Sequence, residues 1–155
     1  GRVAVEKNIE AFLRCRHPGS KVVVGDGPAL ARLKATFPEA LFLGKQSGDA
    51  LAACYAGADV FVFPSKTDTF GLVMIEAMAC GCVVVSTDCP SGPAEILANG
   101  RFGALVPVGD DTALAAALRD ALESPPDKTM LRARAEDFSL EKITGEYLAV
   151  LGIMR

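Results

Sequence analysis

The sequence predicts an α/β domain built on a doubly wound, parallel (Rossmann-like) sheet. Short apolar runs typical of strands alternate with stretches of helical periodicity, and the connections between them are short. The strand runs are almost continuously apolar, as in sheets that helices cover on both faces. Strands and helices in this alternation form right-handed crossovers in one parallel sheet.

Composition narrows the class of protein. With 155 residues, the chain is long enough for one domain with a proper core. A formal net charge of −3 argues against a nucleic-acid partner. Half of the residues are hydrophobic, but no run reaches the length of a membrane span and no signal peptide is recognised, so a cytoplasmic protein is expected.

The cysteines and the histidine exclude several kinds of site. The five cysteines have no paired C-x-x-C spacing and lie among apolar or small residues. We therefore expect reduced, packed thiols rather than disulfides or a zinc site. His17 is the single histidine, so the sequence offers no histidine-based triad or metal cluster.

The first third of the chain predicts helices around two strands. Val5 to Arg14 has helical spacing, and Lys21 to Gly25 reads as a strand. The Gly-Asp-Gly-Pro that begins at Gly25 predicts a tight turn in which the backbone can approach a ligand, although this signal alone is weak. The elements that follow are a helix (Ala29 to Thr36), a strand (Ala40 to Gly44) and a helix (Asp49 to Ala58).

The segment from Asp59 to Gly81 organises the domain. A strand, Val60 to Phe63, leads through a polar loop into a helix that starts near Phe70. Free N–H groups and the positive dipole end of a helix N-terminus favour an anion in such a loop. Asp68 and Glu76 lie eight positions apart, about two helical turns, and are better placed to hold different parts of an elongated ligand than to form one dyad.

The remainder of the chain continues the alternation. The predicted elements are a strand (Cys82 to Ser86), a short helix (Ala94 to Leu97), a strand (Phe102 to Pro107), a helix capped by Asp110-Asp111 that runs to Leu122, and two helices over residues 128–137 and 139–151. The candidate residues Gly25, Lys45, Asp68, Glu76 and Gly92 all follow strands. They should therefore share the carboxyl edge of the sheet, where such folds bind ligands.

One motif carries a family resemblance. PSKTDTFGLVMIEAMACG resembles the signature of the retaining, family 4 glycosyltransferases, which transfer a sugar from a nucleotide diphosphate donor. The shared features are two acids with seven residues between them, the F-G-L-V turn and the preceding F-P-S. The first acid is usually Glu and is Asp68 here, shorter by one methylene, whereas Glu76 matches. The resemblance covers nearly the whole chain and implies the C-terminal half of a GT-B fold.

Other segments resemble the same family. GRVAVEKN is similar to its G-R-x-x-x-x-K segment, in which Arg2 and Lys7 match the residues that bind the donor diphosphate. The F-L-G before Lys45 and Gln46 corresponds to the segment whose backbone contacts the nucleobase. S-G-P-A-E-I-L, which includes Gly92, is similar to a segment close to the donor phosphates.

The resemblance implies a role for each matching residue. Glu76 would bind the ribose hydroxyls, Asp68 would lie near the donor sugar, and the leaving phosphate itself would take the acceptor's proton on the same face. The residues implied in diphosphate binding are Arg2, Lys7 and the turn Phe70, Gly71, Leu72 and Val73. No cofactor or metal is implied, because cations and a helix N-terminus do the neutralising that Mg²⁺ does elsewhere.

The resemblance also implies a missing half. In the family, Gly-Arg follows the domain's first strand, which is central in the sheet. We therefore expect residues 1–155 to be a donor-binding fragment without the N-terminal acceptor-binding domain, with one central strand missing or patched by Arg2 to Val5. The last two helices resemble the C-terminal crossover that packs on that partner domain, and the isolated chain should be inactive.

Other interpretations stay open. Asp68 alone reads as a helix cap, and Arg2 and Lys7 as solvated charges. The chain is either the donor domain of a hexosyltransferase or a non-catalytic nucleotide-binding module, and a flavodoxin-like protein would explain the fold but not the acid spacing. Members of the family that use UDP and GDP donors share these motifs, so the choice between UDP, GDP and ADP stays open. The sequence looks closest to bacterial members that transfer mannose or similar hexoses to lipids or other glycans, and a membrane contact would lie in the other half.

Overall fold

The computed structural model describes residues 1–152, in which parallel strands alternate with helices. The strands are β1 (Val22–Val24), β2 (Leu41–Gly44), β3 (Val60–Phe63), β4 (Val83–Thr87) and β5 (Ala104–Val106). The helices are α1 (Ile9–Arg14), α2 (Leu30–Thr36), α3 (Gly48–Ala56), α4 (Leu72–Ala79), α5 (Pro93–Ile96), α6 (Asp111–Glu123), α7 (Lys128–Glu136) and α8 (Leu140–Val150). The predicted parallel α/β fold is confirmed, with each boundary within two residues except in the segment that begins at Val5.

The sheet is divided into two parts. Strands β1 and β2 pair with each other, and β3, β4 and β5 form a second parallel ladder in that order. Residues Gly1–Val3 run beside the end of β1, where Arg2 bridges Asp26 and the Gly1 nitrogen donates to the Val24 carbonyl at 2.9 Å. The described strands therefore form two separate parallel ladders, and the start of the chain adds a single bridge at the end of β1.

Strand β4 forms the centre of the main core. All five of its residues are buried, including Val84 and Val85 with no exposed surface, because α4 and α6 both pack on this strand. Its partner strands are β3 on one side and β5 on the other. This confirms the prediction that the apolar run of β4 is covered on both faces.

A smaller core lies under β1 and β2. Val23, Leu33 and Phe37 pack there with Val3 and Leu13 from the start of the chain. The opposite face of β2 is different. Leu41 and Leu43 are 54% and 47% exposed, so the expectation of strands buried on both faces is wrong for β2. The alternation in β2 directs Phe42 to the α2 side and these two leucines away from it.

The segment Val5–Arg14 is not one helix, as its periodicity predicts. A single 3₁₀ turn, Val5–Lys7, is followed by Asn8 in the left-handed region (φ 48°), and α1 begins only at Ile9. Left-handed backbone at Asn8 breaks the i→i−4 ladder, and asparagine tolerates that conformation better than most residues. Val5, expected on the apolar face, is consequently exposed at 72%.

The two last helices differ in their packing. Helix α7 packs on α4, and Arg134 donates to the carbonyls of Ile96 and Glu95 at 3.0 and 2.6 Å. Helix α8 has no buried residue, and its Leu140 and Val150 are among the most exposed apolar side chains described. None of the helices within residues 1–152 has both the length and the apolarity needed to cross a bilayer.

Candidate functional site

A cleft of about 360 Å³ opens at the carboxyl ends of β1 and β2. Six of the residues singled out in the sequence line it together: Arg2, Gly25, Lys45, Gln46, Val73 and Glu76. Helix α3 contributes Leu51 and Tyr55 to the same wall. These six residues come from four separate segments of the chain, and Gly25, Lys45 and Glu76 among them belong to the set that the sequence predicts to share one edge of the sheet.

The other candidates form a second group outside that wall. Lys7 and Asp68 form an ion pair, the N–H of Phe70 donates to Asp68 Oδ1 at 3.4 Å, and Gly92 packs on the Phe70 backbone. Gly71 and Leu72 begin α4 beside them. The loop between β3 and α4 therefore connects the two groups, with Val73 and Glu76 of α4 in the cleft and the loop itself next to it.

The ion pair of Lys7 and Asp68 determines the electrostatics of the second group. Burial alone would raise the pKa of Asp68. The hydrogen bond and charge of Lys7, together with the N–H groups of Thr69 and Phe70, outweigh burial and lower the pKa of that carboxyl. Lys7 also lies 5.9 Å from the centroid of the Phe63 ring. Asp68 thus stays ionised, caps its own loop and fixes the ammonium of Lys7.

Glu76 has a different partner from Asp68. It lies one turn inside α4, and Tyr55 donates its hydroxyl to Glu76 Oε2 at 3.1 Å. Burial, followed by the charge of Glu76 and this hydrogen bond, raises the pKa of Tyr55, so the phenol stays protonated as a donor. The two acids occupy separate environments, in agreement with the interpretation that they do not form a dyad.

Tyr55 was missed in the sequence analysis. It is the only aromatic residue among the small residues of α3 and the only one of that helix that is buried. The feature of the sequence that could point to Tyr55 is a large aromatic residue with a hydroxyl in a run of Ala, Cys and Gly. The hydroxyl of a buried tyrosine usually has a hydrogen-bonding partner. Its ring packs edge-on against Phe61 of β3, with the centroids 5.5 Å apart.

Two glycines let the backbone approach itself closely. A Cβ at Gly25 would lie 1.7 Å from the Gly1 carbonyl oxygen, and a Cβ at Gly92 would lie 1.7 Å from the Phe70 carbonyl oxygen. Their φ values, 142° and 112°, also favour glycine. The sequence predicts close approach of a ligand at these turns. The structure shows instead that another segment of the same chain approaches each glycine closely. At Gly25 this approach shapes the site, and at Gly92 it supports the loop.

The N-terminus of α4 leaves backbone donors open. Gly71 precedes the helix with φ 95° and has no side chain with which to cap it. Helix geometry leaves the N–H groups of the first turn, at Leu72 and Val73, without carbonyl partners inside the helix. The ring of Phe70 packs on Phe138 with the centroids 6.1 Å apart, so this residue anchors the turn through its side chain.

A larger and more open depression, about 660 Å³, lies at the other end of β1. Arg14, Arg16, Lys21 and Glu39 line it, and it contains none of the residues that the sequence analysis selected. Ligands in parallel α/β folds bind at the carboxyl ends of strands. The smaller cleft is therefore the better candidate.

The cleft combines groups suited to a ligand with both an anionic and a hydroxyl-bearing part. Arg2 and Lys45 supply positive charge, and Glu76 supplies a carboxylate with one oxygen not engaged by Tyr55. Gln46 uses its Nε2 on the Leu43 carbonyl at 2.8 Å, which leaves its Oε1 as an acceptor. Phosphates and neighbouring hydroxyls are the partners that these groups recognise.

The chain as a whole is similar to known proteins. A GDP-mannose-dependent alpha-mannosyltransferase of Mycolicibacterium smegmatis is 38% identical over 98% of this chain. The structure of sucrose-phosphate synthase from Thermosynechococcus elongatus matches 99% of this chain with a TM-score of 0.81 at 28% identity. Anabaena HepE in complex with UDP matches 99% of the chain with a TM-score of 0.79 at 22% identity, which shows the fold alone.

The chain spans less than half of these proteins: 42% of the mannosyltransferase, 45% of the sucrose-phosphate synthase and 47% of HepE. The likeness confirms the Rossmann-like domain of a GT-B glycosyltransferase that the sequence predicts. The model of the glycosyl transferases group 1 family matches residues 2–124, which is most of the chain. The chain therefore belongs to the glycosyl transferases group 1 family.

Proposed function

We propose that the chain is the donor-binding part of a retaining hexosyltransferase, with GDP-mannose as the donor. The observation that carries this proposal is the Glu76 carboxylate, held by Tyr55 and lining one cleft with Arg2 and Lys45. The relative named for GDP-mannose dependence, similar over 98% of the chain, supports the choice of donor. A hexose is then transferred to a glycan, a lipid or another acceptor.

Glu76 binds the ribose of the donor. A carboxylate accepts hydrogen bonds from both hydroxyls of a vicinal diol, and Tyr55 leaves Oε1 and part of Oε2 for them. The side chain is exposed on the cleft side of α4, so the diol displaces only water. Val73, one turn earlier on the same helix, also lines the cleft and packs beside the ribose.

The diphosphate lies between the cleft and the β3–α4 loop. Arg2 offers a planar fork, Lys7 a compact charge, and the N–H groups of Gly71, Leu72 and Val73 add oriented dipoles. Lys7 is held by Asp68 in the structure described, so binding of phosphate requires Lys7 to share its ammonium between both partners. Gly92 supports this loop through the Phe70 backbone.

The nucleobase contacts the loop after β2. Lys45 and Gln46 lie in the cleft, and the free Oε1 of Gln46 is an acceptor for the N–H groups of a base. Gly25, at the facing turn, lets the Gly1 backbone pack against it and so shapes this end of the cleft. Guanine presents more such donors than uracil, which agrees with the choice of GDP.

The reaction needs no nucleophile from this chain. The bond between the anomeric carbon and the diphosphate breaks, the acceptor oxygen bonds to the same face of that carbon, and the acceptor's proton goes to a phosphate oxygen. Arg2 and Lys7 stabilise the charge that develops on the leaving diphosphate. Asp68 orients Lys7 and lies near the donor sugar.

We further propose that this neutralisation makes a metal ion unnecessary, and that the acceptor binds to an N-terminal domain of the same protein. The 155-residue chain then binds donor nucleotide but transfers no sugar. Such a donor domain works in the cytoplasm, or at the cytoplasmic face of the membrane in the full-length enzyme. A non-catalytic nucleotide-binding module is the second candidate, because the groups that line the cleft account for binding of a nucleotide by themselves.

Calorimetric titration of the chain with GDP, UDP and ADP tests the proposal, in EDTA and then with added Mg²⁺. We expect GDP to bind most tightly and equally well in EDTA. Glu76→Gln should weaken binding at least tenfold, because a neutral amide replaces the carboxylate. Glu123→Gln, an exposed acid at the end of α6, is the control and should bind as the unaltered chain does.

Four results would count against parts of the proposal. If no nucleotide binds, the site assignment is wrong. If UDP or ADP binds more tightly than GDP, only the donor is wrong. If the whole protein binds the nucleotide but transfers no sugar to any glycan or lipid acceptor, the non-catalytic module is correct; an inverted anomeric configuration in the product would exclude retention.

A further inference from the structure

We infer that Tyr55 is the positioning residue that orients the Glu76 carboxylate for the ribose hydroxyls, and so determines how well the cleft distinguishes a ribose from a deoxyribose. This inference rests on the proposed function. It adds a residue to the site that neither the motif in the sequence nor the comparisons assign. Tyr55 is expected to act through Glu76 and not through a direct contact with the donor.

One hydrogen bond restrains the Glu76 side chain. Within residues 1–152, Tyr55 is the only hydrogen-bonding partner of the Glu76 side chain, and it engages Oε2 alone. A glutamate side chain on the exposed face of a helix has several rotamers, and ordering it on ligand binding costs conformational entropy. A hydrogen bond made before the ligand arrives removes part of that cost, and it leaves Oε1 of this cleft-lining residue free to accept from the ligand.

Tyr55 itself is held firmly. It is 8% exposed, although α3 is otherwise formed of half-buried and exposed residues. Its ring packs edge-on against Phe61, with an interplanar angle of 79°. A rigid aromatic on one helix thus fixes a flexible acid on the neighbouring helix, and the two helices pack on each other.

The hydroxyl remains a donor to Glu76 over the whole useful pH range. Burial and the adjacent carboxylate both disfavour the phenolate and raise the pKa of Tyr55, so the hydroxyl keeps its proton and donates a hydrogen bond to Glu76. The Tyr55 hydroxyl occupies one of the lone pairs of the Glu76 carboxylate by donating to it. The remaining lone pairs of the carboxylate can accept from the two hydroxyls of the donor's ribose.

The test compares two ligands in four proteins. GDP and 2′,3′-dideoxyguanosine diphosphate are titrated into the unaltered chain, Tyr55→Phe, Glu76→Gln and Tyr147→Phe, and the ratio of the two affinities is measured for each. Tyr147, the other tyrosine of the chain, is 68% exposed on α8 and serves as the matched control. Tyr55→Phe keeps the ring that packs on Phe61, and a thermal melt checks that it is folded.

We expect the unaltered chain and Tyr147→Phe to prefer GDP by at least about tenfold, since the dideoxy ligand offers no hydroxyl to Glu76. Tyr55→Phe should lower that ratio about three- to tenfold, mainly by weakening GDP, and Glu76→Gln should abolish it. A purely structural role for Tyr55 would weaken both ligands equally. An unchanged ratio in Tyr55→Phe therefore overturns the inference while the proposed function stands.

Failure of the proposed function gives a different pattern. If the unaltered chain binds neither GDP nor any other nucleotide, the donor site is wrong, and the role of Tyr55 falls with it. If the unaltered chain binds GDP and the dideoxy ligand equally, Glu76 does not bind the ribose, which also overturns the inference. Both patterns are visible in the unaltered protein before any variant is compared.

Discussion

The ammonium of Lys7 and the carboxylate of Asp68 form a half-buried ion pair between residues 61 positions apart in the sequence. The pair fastens the segment before α1 to the loop between β3 and α4. A second link at the same place is the Lys66 N–H, which donates to the Glu6 carbonyl at 2.8 Å. The two segments that the family resemblance assigns to the donor are therefore joined to each other.

Asp68→Asn should destabilise the chain. The amide oxygen can still accept from the N–H groups of Thr69 and Phe70, but Lys7 loses its counter-charge. We expect the free energy of unfolding in urea to fall by about 1.5 kcal/mol at pH 7, the lower end of the range for a hydrogen bond to a charged group, because the pair is partly exposed. Asp137→Asn, which removes a more exposed acid, is the control and should cost about 0.5 kcal/mol. Equal losses in both variants would contradict the structural role given to Asp68.

The same pair predicts a dependence of stability on pH. The folded state lowers the pKa of Asp68, so the unfolded chain binds the proton more readily. The stabilisation is complete above the unfolded pKa, about 3.9, and is lost as the pH falls through the lower folded value. The difference in unfolding free energy between the unaltered chain and Asp68→Asn should be constant from pH 7 to pH 5 and should shrink below about pH 4. A difference that is unchanged at pH 3 would mean that the charge of Asp68 is not its source.

Local patterns in the sequence predict the strands well. The period-two and continuous apolar runs locate β3 and β4, because both strands contribute to the main core and β4 is buried along its whole length. They fail for Val5–Arg14, where a single left-handed residue, Asn8, divides a segment whose apolar spacing is helical. Periodicity reports which face is buried; it does not report the backbone angle of one residue.

Asn8 provides a direct test of that explanation. Asn8→Gly should change the unfolding free energy by less than about 0.5 kcal/mol, because glycine adopts positive φ freely and its greater entropy when unfolded offsets the relief of strain. Asn8→Ala should cost about 1 kcal/mol, since alanine is disfavoured at φ 48° and would extend α1 backward into the 3₁₀ turn. Urea unfolding of both variants measures this. If alanine stabilised the chain, a continuous helix would be the better description of this segment.

The site is predicted less completely than the fold. The motif supplies Glu76, and the rule that ligands bind at the carboxyl edge brings it together with Arg2 and Lys45. The partner of Glu76 could not be read in the same way, because Tyr55 reaches it from another helix, and a tertiary contact between α3 and α4 leaves no fixed spacing in the sequence. The Lys7–Asp68 ion pair could not be predicted from the sequence for the same reason.

Gly92→Ala should be among the most damaging single substitutions. The new Cβ would lie 1.7 Å from the backbone oxygen of Phe70, and the φ of residue 92 is 112°. Either the loop between β4 and α5 or the loop between β3 and α4 must therefore move. We expect a loss of at least about 3 kcal/mol in unfolding free energy, together with weaker nucleotide binding. Gly145→Ala, in the middle of α8 with open space around the added Cβ, is the control and should stabilise the chain by about 0.5–1 kcal/mol. A mild effect at Gly92 would show that the two loops are not in close contact in solution.

Arg134 connects α7 to the end of α5, and its geometry requires a guanidinium. Its Nε and one terminal nitrogen donate to the carbonyls of Ile96 and Glu95, another terminal nitrogen contacts Asp137, and the plane lies 4.6 Å from the centroid of Phe138. Arg134→Lys keeps the charge but cannot make both carbonyl contacts and stack at once, so we expect a loss of about 2 kcal/mol in unfolding free energy. Arg132→Lys, on the same helix, should cost less. Because Phe138 also packs on Phe70, the Arg134 variant should weaken nucleotide binding as well. A loss of stability with unchanged nucleotide affinity would show that α7 supports the core without positioning the β3–α4 loop.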